Sequence, residues 1–207
     1  RTRKDWPSIG SMVAHARHDP GSKLPGNVAL PYPIYDGGWA NGQHAGFLGM
    51  KYDPVIMKPD KGTPYDGKSP VSGHLSFDFI DGVNEQRLAD RRNLLTRLSG
   101  SAQPTEPLEH YQQRVFDMLL DEETRRAFKI NDEPERQHLR YGSHVLGQSL
   151  LTARRLTGAG VPLVTVYAAA GDLNGSAGAH FDTHADGYNR LKKQMLPPLD
   201  QGLSALL

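Results

Sequence analysis

The clearest apolar pattern in the chain is an unbroken run near its C-terminal end, Val161-Pro162-Leu163-Val164-Thr165-Val166-Tyr167. A run without alternating polar positions predicts a strand buried on both faces, as in a parallel sheet. The segment from Ser143 to Gly158 precedes it and has helical periodicity. Its inward positions are Leu146, Leu150, Ala153 and Leu156. The two segments together predict one helix–strand unit of an α/β protein.

Weaker patterns predict the remaining helices. They are expected at 8–17, 84–98, 108–119, 122–128 and from about Tyr188 onward, where Pro197 and Pro198 must kink or split the last helix. In the helix that Asn84 caps, we expect Leu88, Leu95 and Leu98 to share one face.

Other strand signals are short. Asn27–Leu30 and the alternating segment Leu75–Phe79 are strand candidates. The stretch from Tyr35 to Gly82 is rich in Gly, Pro and Asp and predicts a long ordered loop, whose apolar residues, such as Val55 and Ile56, need burial. Since one strong strand cannot form a sheet, we expect its neighbours upstream of Arg1 or beyond Leu207.

Composition narrows the class of protein. With 207 residues, 37% of them hydrophobic and 23% charged, the chain is long enough for one domain with a substantial core. A formal net charge of +1 gives no electrostatic reason to expect nucleic acid or an anionic membrane as partner. The absence of cysteine excludes disulfides and a thiol nucleophile. No apolar stretch approaches the roughly 18 residues that a membrane span requires.

The ends of the chain suggest a longer protein. The sequence opens on Arg1 and closes on an apolar helix that ends, uncapped, in Leu206 and Leu207. We therefore expect residues 1–207 to be an internal fragment, and any export signal to lie upstream.

Candidate chemistry centres on Asp182-Thr183-His184. This segment follows the apolar strand and a glycine-rich loop, and ligands of α/β proteins collect beyond the carboxyl ends of such strands. In an extended segment, Asp182 and His184 point the same way and could face one cation. A carboxylate with an imidazole suits Zn²⁺, Mn²⁺ or Fe²⁺, whereas Mg²⁺ and Ca²⁺ prefer oxygen ligands. Two ligands do not hold a catalytic metal, so His180, Asp172 and Asp186 are considered as well.

A structural interpretation of the same segment stays open. Asp182 or Thr183 could cap the following helix, with His184 at the surface. The glycine-rich loop at 171–178 lacks the spacing of a P-loop or dinucleotide motif, and no serine stands in a nucleophile-elbow context.

Other polar residues carry weaker expectations. His44 and His74 lie in the long loop, where a substrate contact is a further hypothesis. Histidines on or beside predicted helices, including His138 and His144, are expected to be solvated or bonded to backbone. Of Arg154 and Arg155, one is expected to pair with a carboxylate.

Short motifs in a shared order resemble the interior of the bacterial domain-of-unknown-function family 1501, a branch of the alkaline phosphatase and sulfatase-like superfamily. They run nearly the full length of the chain. The segments that carry the resemblance are Asp5–Ser11, Leu24-Pro25, Val28–Pro31, Gly46–Gly49, Leu88–Arg92, Tyr141-Gly142, Gly147–Ser149, Ala153–Leu156, Gly160-Val161, Asp182–His184 and Leu196–Asp200.

The resemblance implies a fold. It implies an α/β protein in which a partial alkaline-phosphatase-like sandwich carries a largely helical inserted region and an incomplete parallel sheet. Residues 1–140 would form the loop-rich and helical insert, and residues 141–207 the core helix, strand, loop and helix. It also suggests that the parent protein is periplasmic or otherwise exported.

The resemblance further implies chemistry. Asp182 and His184 match the family's Trp-Asp-Thr-His segment, with Phe181 in place of tryptophan, and are implied as ligands of a divalent metal: zinc, manganese, calcium or magnesium. The nucleophile and the other ligands would lie outside residues 1–207. The leading hypothesis is a metal-dependent hydrolase of sulfate or phosphate esters of small molecules or glycans. The alternative is a non-catalytic, exported binding or structural relative with the same fold.

Overall fold

A computed structural model of the chain describes residues 5–34, 40–59, 84–99, 115–168, 181, 183 and 185–207. The helices are α1 (Ile9–Ala16), α2 (Glu85–Ser99), α3 (115–120), α4 (Glu122–Phe128), α5 (Glu135–Tyr141), α6 (Val145–Gly158), α7 (Gly187–Arg190) and α8 (Leu196–Leu206). The strands are β1 (Val28–Leu30), β2 (Val55–Ile56) and β3 (Val164–Val166). Short 3₁₀ turns occupy Gly46–Leu48, Met50–Tyr52 and Ile130–Asp132. The candidate strand Leu75–Phe79 lies outside the described residues.

The three strands form an open parallel sheet in the order β2-β1-β3. In the register, Val28 lies beside both Val55 and Val164. The prediction of a mixed α/β chain with a parallel sheet is confirmed. The expectation that the neighbours of β3 lie outside the chain is wrong, because β1 pairs with it directly.

Among the residues that the structure describes, the apolar run at 161–167 forms an outer strand of the sheet and not a central one. Only Val164–Val166 is extended within the sheet, and all three residues are half-buried. The prediction that this strand is buried on both faces is therefore wrong. The fully buried strand is β1, because it has a hydrogen-bonded neighbour on each side and only apolar side chains to bury.

The strand β2 arises inside the predicted long loop. Asp53 and Pro54 precede its two residues, so no strand-length apolar pattern marks it. Its backbone is nevertheless held, since the Val55 N–H donates to the Asn27 carbonyl at 3.1 Å and the Met57 N–H donates to the Ala29 carbonyl at 3.0 Å. Burial of apolar residues in this loop was expected, and their place in the sheet was not.

The helix α6 covers one face of the sheet. Its predicted inward residues are all buried: Leu146, Leu150, Ala153 and Leu156. Two buried hydroxyls on the helix, Ser149 and Thr152, donate to carbonyls one turn back, at 2.7 and 2.8 Å, so both are paired within the helix. Leu156 and Ala153 pack in one apolar cluster with Val28 and Leu30, which fixes the helix on β1 and β3.

The helix α8 packs on the outside of α6. Gly202 and Ala205 face that helix, and Gly202 comes close to Leu150. The predicted distortion at Pro197 is confirmed. A π-helical turn, Leu191–Met195, precedes α8, and the Leu196 N–H bonds to the Leu191 carbonyl five residues back. Because Pro197 has no N–H and its ring crowds the preceding turn, the helix widens just before it.

The helices α1 and α2 each begin with a side-chain cap. The Ser8 hydroxyl caps α1, and the Asn84 side chain accepts from the Arg87 N–H at 2.8 Å, as expected for a cap of α2. Leu88 is buried against the rest of the protein. Leu95 lies on the same side of α2 two turns on and is 37% exposed.

No helix within the described part of the chain is both long and apolar enough to cross a bilayer.

Candidate functional site

The three strands end at the same edge of the sheet. After β1 the chain continues through the cis Leu30–Pro31 bond to Tyr32, and after β3 it continues to Tyr167. The Tyr167 N–H donates to the Leu30 carbonyl at 2.7 Å, so the ladder extends one residue beyond β3. Because the strands are parallel, their carboxyl ends meet at this edge, which we call the carboxyl edge.

The N-terminus of α6 lies at the carboxyl edge as well. The helix runs antiparallel to β3, and Leu146 in its first turn packs in one cluster with Val166 and Ala168. His144 occupies the N-cap position, is 4% exposed, and accepts from the Gly147 N–H through Nδ1 at 3.1 Å. The prediction that His144 bonds to backbone is confirmed. The positive end of the helix dipole therefore faces the same edge as the strand ends.

A side-chain clamp fixes the turn into α6. The Gln148 amide donates through Nε2 to the Gly142 carbonyl at 2.7 Å and to the His138 carbonyl at 3.3 Å. Its Oε1 then lies 2.6 Å from the Nδ1 atom of His138. Since this oxygen only accepts, the proton must sit on Nδ1 of His138. The clamp holds the segment between α5 and α6 in place beside the carboxyl edge.

Two tyrosines follow the strands directly. Burial raises the pKa of Tyr32 and of Tyr167 above the ordinary value of 10.0. Both phenols are therefore neutral near pH 7 and keep a hydroxyl proton to donate. They were missed as site candidates, although their positions directly after two apolar strands were visible in the sequence.

The loop after β1 is tied back by Gln43. Its Oε1 accepts from the Ile34 N–H at 2.6 Å, and its Nε2 donates to the carbonyls of Ile34 and Ala40 at 2.8 and 2.9 Å. The side chain is 7% exposed. The amide thus reinforces the backbone bond from the Ala40 N–H to the Ile34 carbonyl, at 3.0 Å, where the chain leaves the carboxyl edge.

Most of the predicted metal segment lies outside the described residues: Asp172, His180, Asp182 and His184. Of its neighbours, Asp186 occupies the N-cap position of α7 with a left-handed backbone (φ 52°), and its carboxylate accepts from the Asn189 amide at 2.7 Å. The alternative in which Thr183 is the helix cap is wrong, because that position is Asp186. Thr183 instead packs against Gly187 in the first turn.

Three other described histidines lie away from the carboxyl edge. His44 lies beside Asp53, with its Nδ1 3.9 Å from a carboxylate oxygen. His15 and His18 stack edge-on against the Tyr52 ring, at 4.9 and 5.8 Å between ring centroids. His74 and His110 lie outside the described residues. Within the described ranges, no group of three or more His, Asp or Glu side chains is arranged to hold a metal ion.

The fold and the site define a mixed α/β protein with an open parallel sheet and a polar carboxyl edge. Residues 1–207 match the family described as "Protein of unknown function (DUF1501)", and the chain belongs to that family. No curated protein and no solved structure matches the chain.

Proposed function

We propose that this protein is a metal-dependent hydrolase of sulfate or phosphate esters, with an alkaline-phosphatase-like fold and with Asp182 and His184 among its metal ligands. One observation supports this above others. The chain leaves β3 at the carboxyl edge of a parallel sheet and then enters the loop that carries Asp182 and His184. Ligand and metal sites of open α/β sheets collect at that edge.

The donor chemistry of the pair fits a divalent ion. A carboxylate and a neutral imidazole are both ligands of catalytic zinc and manganese sites. Since the described residues contain no group of three donors, further ligands would have to come from other parts of the protein. A bound ion would supply polarisation of the ester oxygen and a lowered pKa for an attacking hydroxyl or water.

The described residues would serve the anionic substrate. The N-terminus of α6 gives the carboxyl edge a partial positive charge, which favours a sulfate or phosphate group over a neutral one. Tyr167 would donate its phenolic hydrogen to an ester oxygen, since a phenol carries that hydrogen at neutral pH and burial raises its pKa further. We propose that the protein is exported and that its substrates are small-molecule or glycan esters outside the cytoplasm.

Metal content is the first test. The purified protein is equilibrated in turn with zinc, manganese, calcium and magnesium, dialysed, and assayed for bound metal by plasma mass spectrometry. We expect Asp182→Asn and His184→Ala to lose most of the bound ion. Asp200→Asn and His15→Ala are the matched controls, since the first changes an exposed carboxylate on α8 and the second removes an exposed imidazole on α1; both should keep the ion. Unchanged metal content in the Asp182 and His184 variants would remove the site assignment.

Activity is the second test. Aryl sulfate and aryl phosphate esters are offered to the metal-loaded protein with and without a chelator, and release of the aryl group is followed by absorbance. Chelator-sensitive release that Asp182→Asn abolishes supports the hydrolase. Metal binding without any release favours the alternative, a non-catalytic exported relative with the same fold.

A further inference from the structure

A cavity of about 350 Å³ lies beside β2. It is bounded by the end of α1, the segment that enters β1, the segment through β2, and α3. Its apolar walls are formed by Ala14, Pro25, Pro54, Val55, Ile56, Val115 and Met118. This β2 cavity falls within the range of small-molecule sites, roughly 300–1,000 Å³, and like them it is mainly apolar.

Most polar groups at the β2 cavity are already engaged. The Asn27 amide donates to the Tyr52 carbonyl at 3.1 Å. The Asp53 carboxylate accepts from the Ala45 N–H at 2.7 Å and lies 3.9 Å from Nδ1 of His44. Both side chains therefore bind the local backbone.

Lys51 is the exception. It lines the β2 cavity, is exposed, and lies with its ammonium 5.5 Å from the centroid of the Tyr52 ring. It makes no ion pair with a carboxylate of the described residues. A ligand that fills the apolar walls and carries one negative charge at the mouth would match both features.

We propose that the β2 cavity binds a small amphipathic carboxylate, with its hydrocarbon chain between β2 and α3 and its carboxylate at Lys51. This site is independent of the proposed hydrolase. Because the walls are apolar, the chain supplies most of the binding free energy through the hydrophobic effect. The ammonium of Lys51 favours a negatively charged head group over a positively charged one, because charge complementarity determines specificity more than affinity.

Affinity measurements on the purified protein test the sign of the charge. Hexanoate, octanoate and decanoate are titrated by calorimetry beside octylamine and octanol. We expect carboxylates to bind more tightly than the amine of equal chain length. Lys51→Glu should weaken octanoate about two- to fivefold, the range of an exposed ion pair, and strengthen octylamine. Lys58→Glu makes the same charge change at an exposed residue that does not line the cavity, and should leave octanoate binding as it is.

The methionine methyl groups report the location in the same samples. Met118 lines the β2 cavity, whereas Met195 is buried elsewhere and Met12 and Met50 are exposed. By methyl-labelled NMR, octanoate should shift the Met118 signal and leave those of Met12, Met50 and Met195 in place; the fifth methionine, Met57, is buried directly after Ile56 and is not used as a control. Equal shifts at Met12 and Met50 would mean surface adsorption and would overturn the proposal. So would the absence of binding by all three carboxylates, or an unchanged affinity in Lys51→Glu.

Discussion

Gly147 lies directly against the carbonyl oxygen of Tyr141. A β-carbon at position 147 would overlap that oxygen and the carbonyl oxygen of Gly142. Both obstacles are backbone atoms, which cannot turn aside as a flexible side chain can. We expect Gly147→Ala to lower the free energy of unfolding by about 3 kcal/mol, as overpacked sites do, measured by urea titration.

Gly158, on the same helix, is the matched control. No atom lies within 4 Å of a β-carbon built there. Gly158→Ala should raise the free energy of unfolding by about 0.5–1 kcal/mol, because alanine loses less backbone entropy in a helix. Equal destabilisation in the two variants would show that close approach at Gly147 is not the cause.

Arg155 is expected to matter more than its neighbour Arg154. Both reach Glu133, at 2.6 and 2.8 Å, but Arg155 also donates to the backbone carbonyls of Arg126 and Ala127. Lysine keeps the charge and loses the forked donors. We expect Arg155→Lys to cost about 1–2 kcal/mol of unfolding free energy and Arg154→Lys about 0.5 kcal/mol. A larger cost for Arg154→Lys in urea titrations would contradict this reading of the network.

The sequence predicts helices of this fold better than its strands. The face of α6 was visible because apolar residues recur at helical spacing over 14 residues. One of Arg154 and Arg155 was expected to pair with a carboxylate, and both pair with Glu133. Two elements were not predicted. The strand β2 has two residues, which are too few to show a period, and α5 begins after Pro134 with mostly polar residues, which show no apolar face. Pairing between β1 and β3 joins residues far apart in the chain, which local patterns do not encode.

The candidate site was predictable only in part. The apolar run identified β3. In a parallel sheet a ligand lies beyond the carboxyl end of such a strand, so the run also indicated where a ligand would bind. The side chains that shape the carboxyl edge, Gln43 and Gln148, act by holding turns through several backbone bonds each. Such a role depends on tertiary position, since a glutamine in a polar stretch has no distinctive spacing. The assignment of Asp182 and His184 remains a prediction.

Gln43→Glu should loosen the loop that follows β1. The buried amide donates to two carbonyls, and a carboxylate would place negative charge against both. We expect a loss of about 3 kcal/mol in unfolding free energy near pH 7, since buried acceptors lose their donor and the charge is desolvated. Gln86→Glu, at an exposed position on α2, should cost a few tenths of a kcal/mol. Equal effects of the two changes in urea titrations would show that the Gln43 amide does not hold this loop.

Asp121 should make the stability of the protein depend on pH in the acid range. Its carboxylate accepts from the backbone N–H and the hydroxyl of Thr124 at 2.9 and 2.7 Å, and these bonds, with Lys23 nearby at 3.7 Å, hold the pKa of Asp121 below its ordinary value of 3.8. A lowered pKa in the folded state means that the stabilisation is present above pH 3.8 and is lost as the pH falls below it. Asp121→Asn keeps an N-cap side chain that does not titrate. The difference in unfolding free energy between the wild-type protein and this variant should therefore be constant from neutral pH to about pH 5 and shrink in more acid solution. A difference that stays constant through the whole acid range would show that the Asp121 carboxylate is not preferentially stabilised in the folded protein.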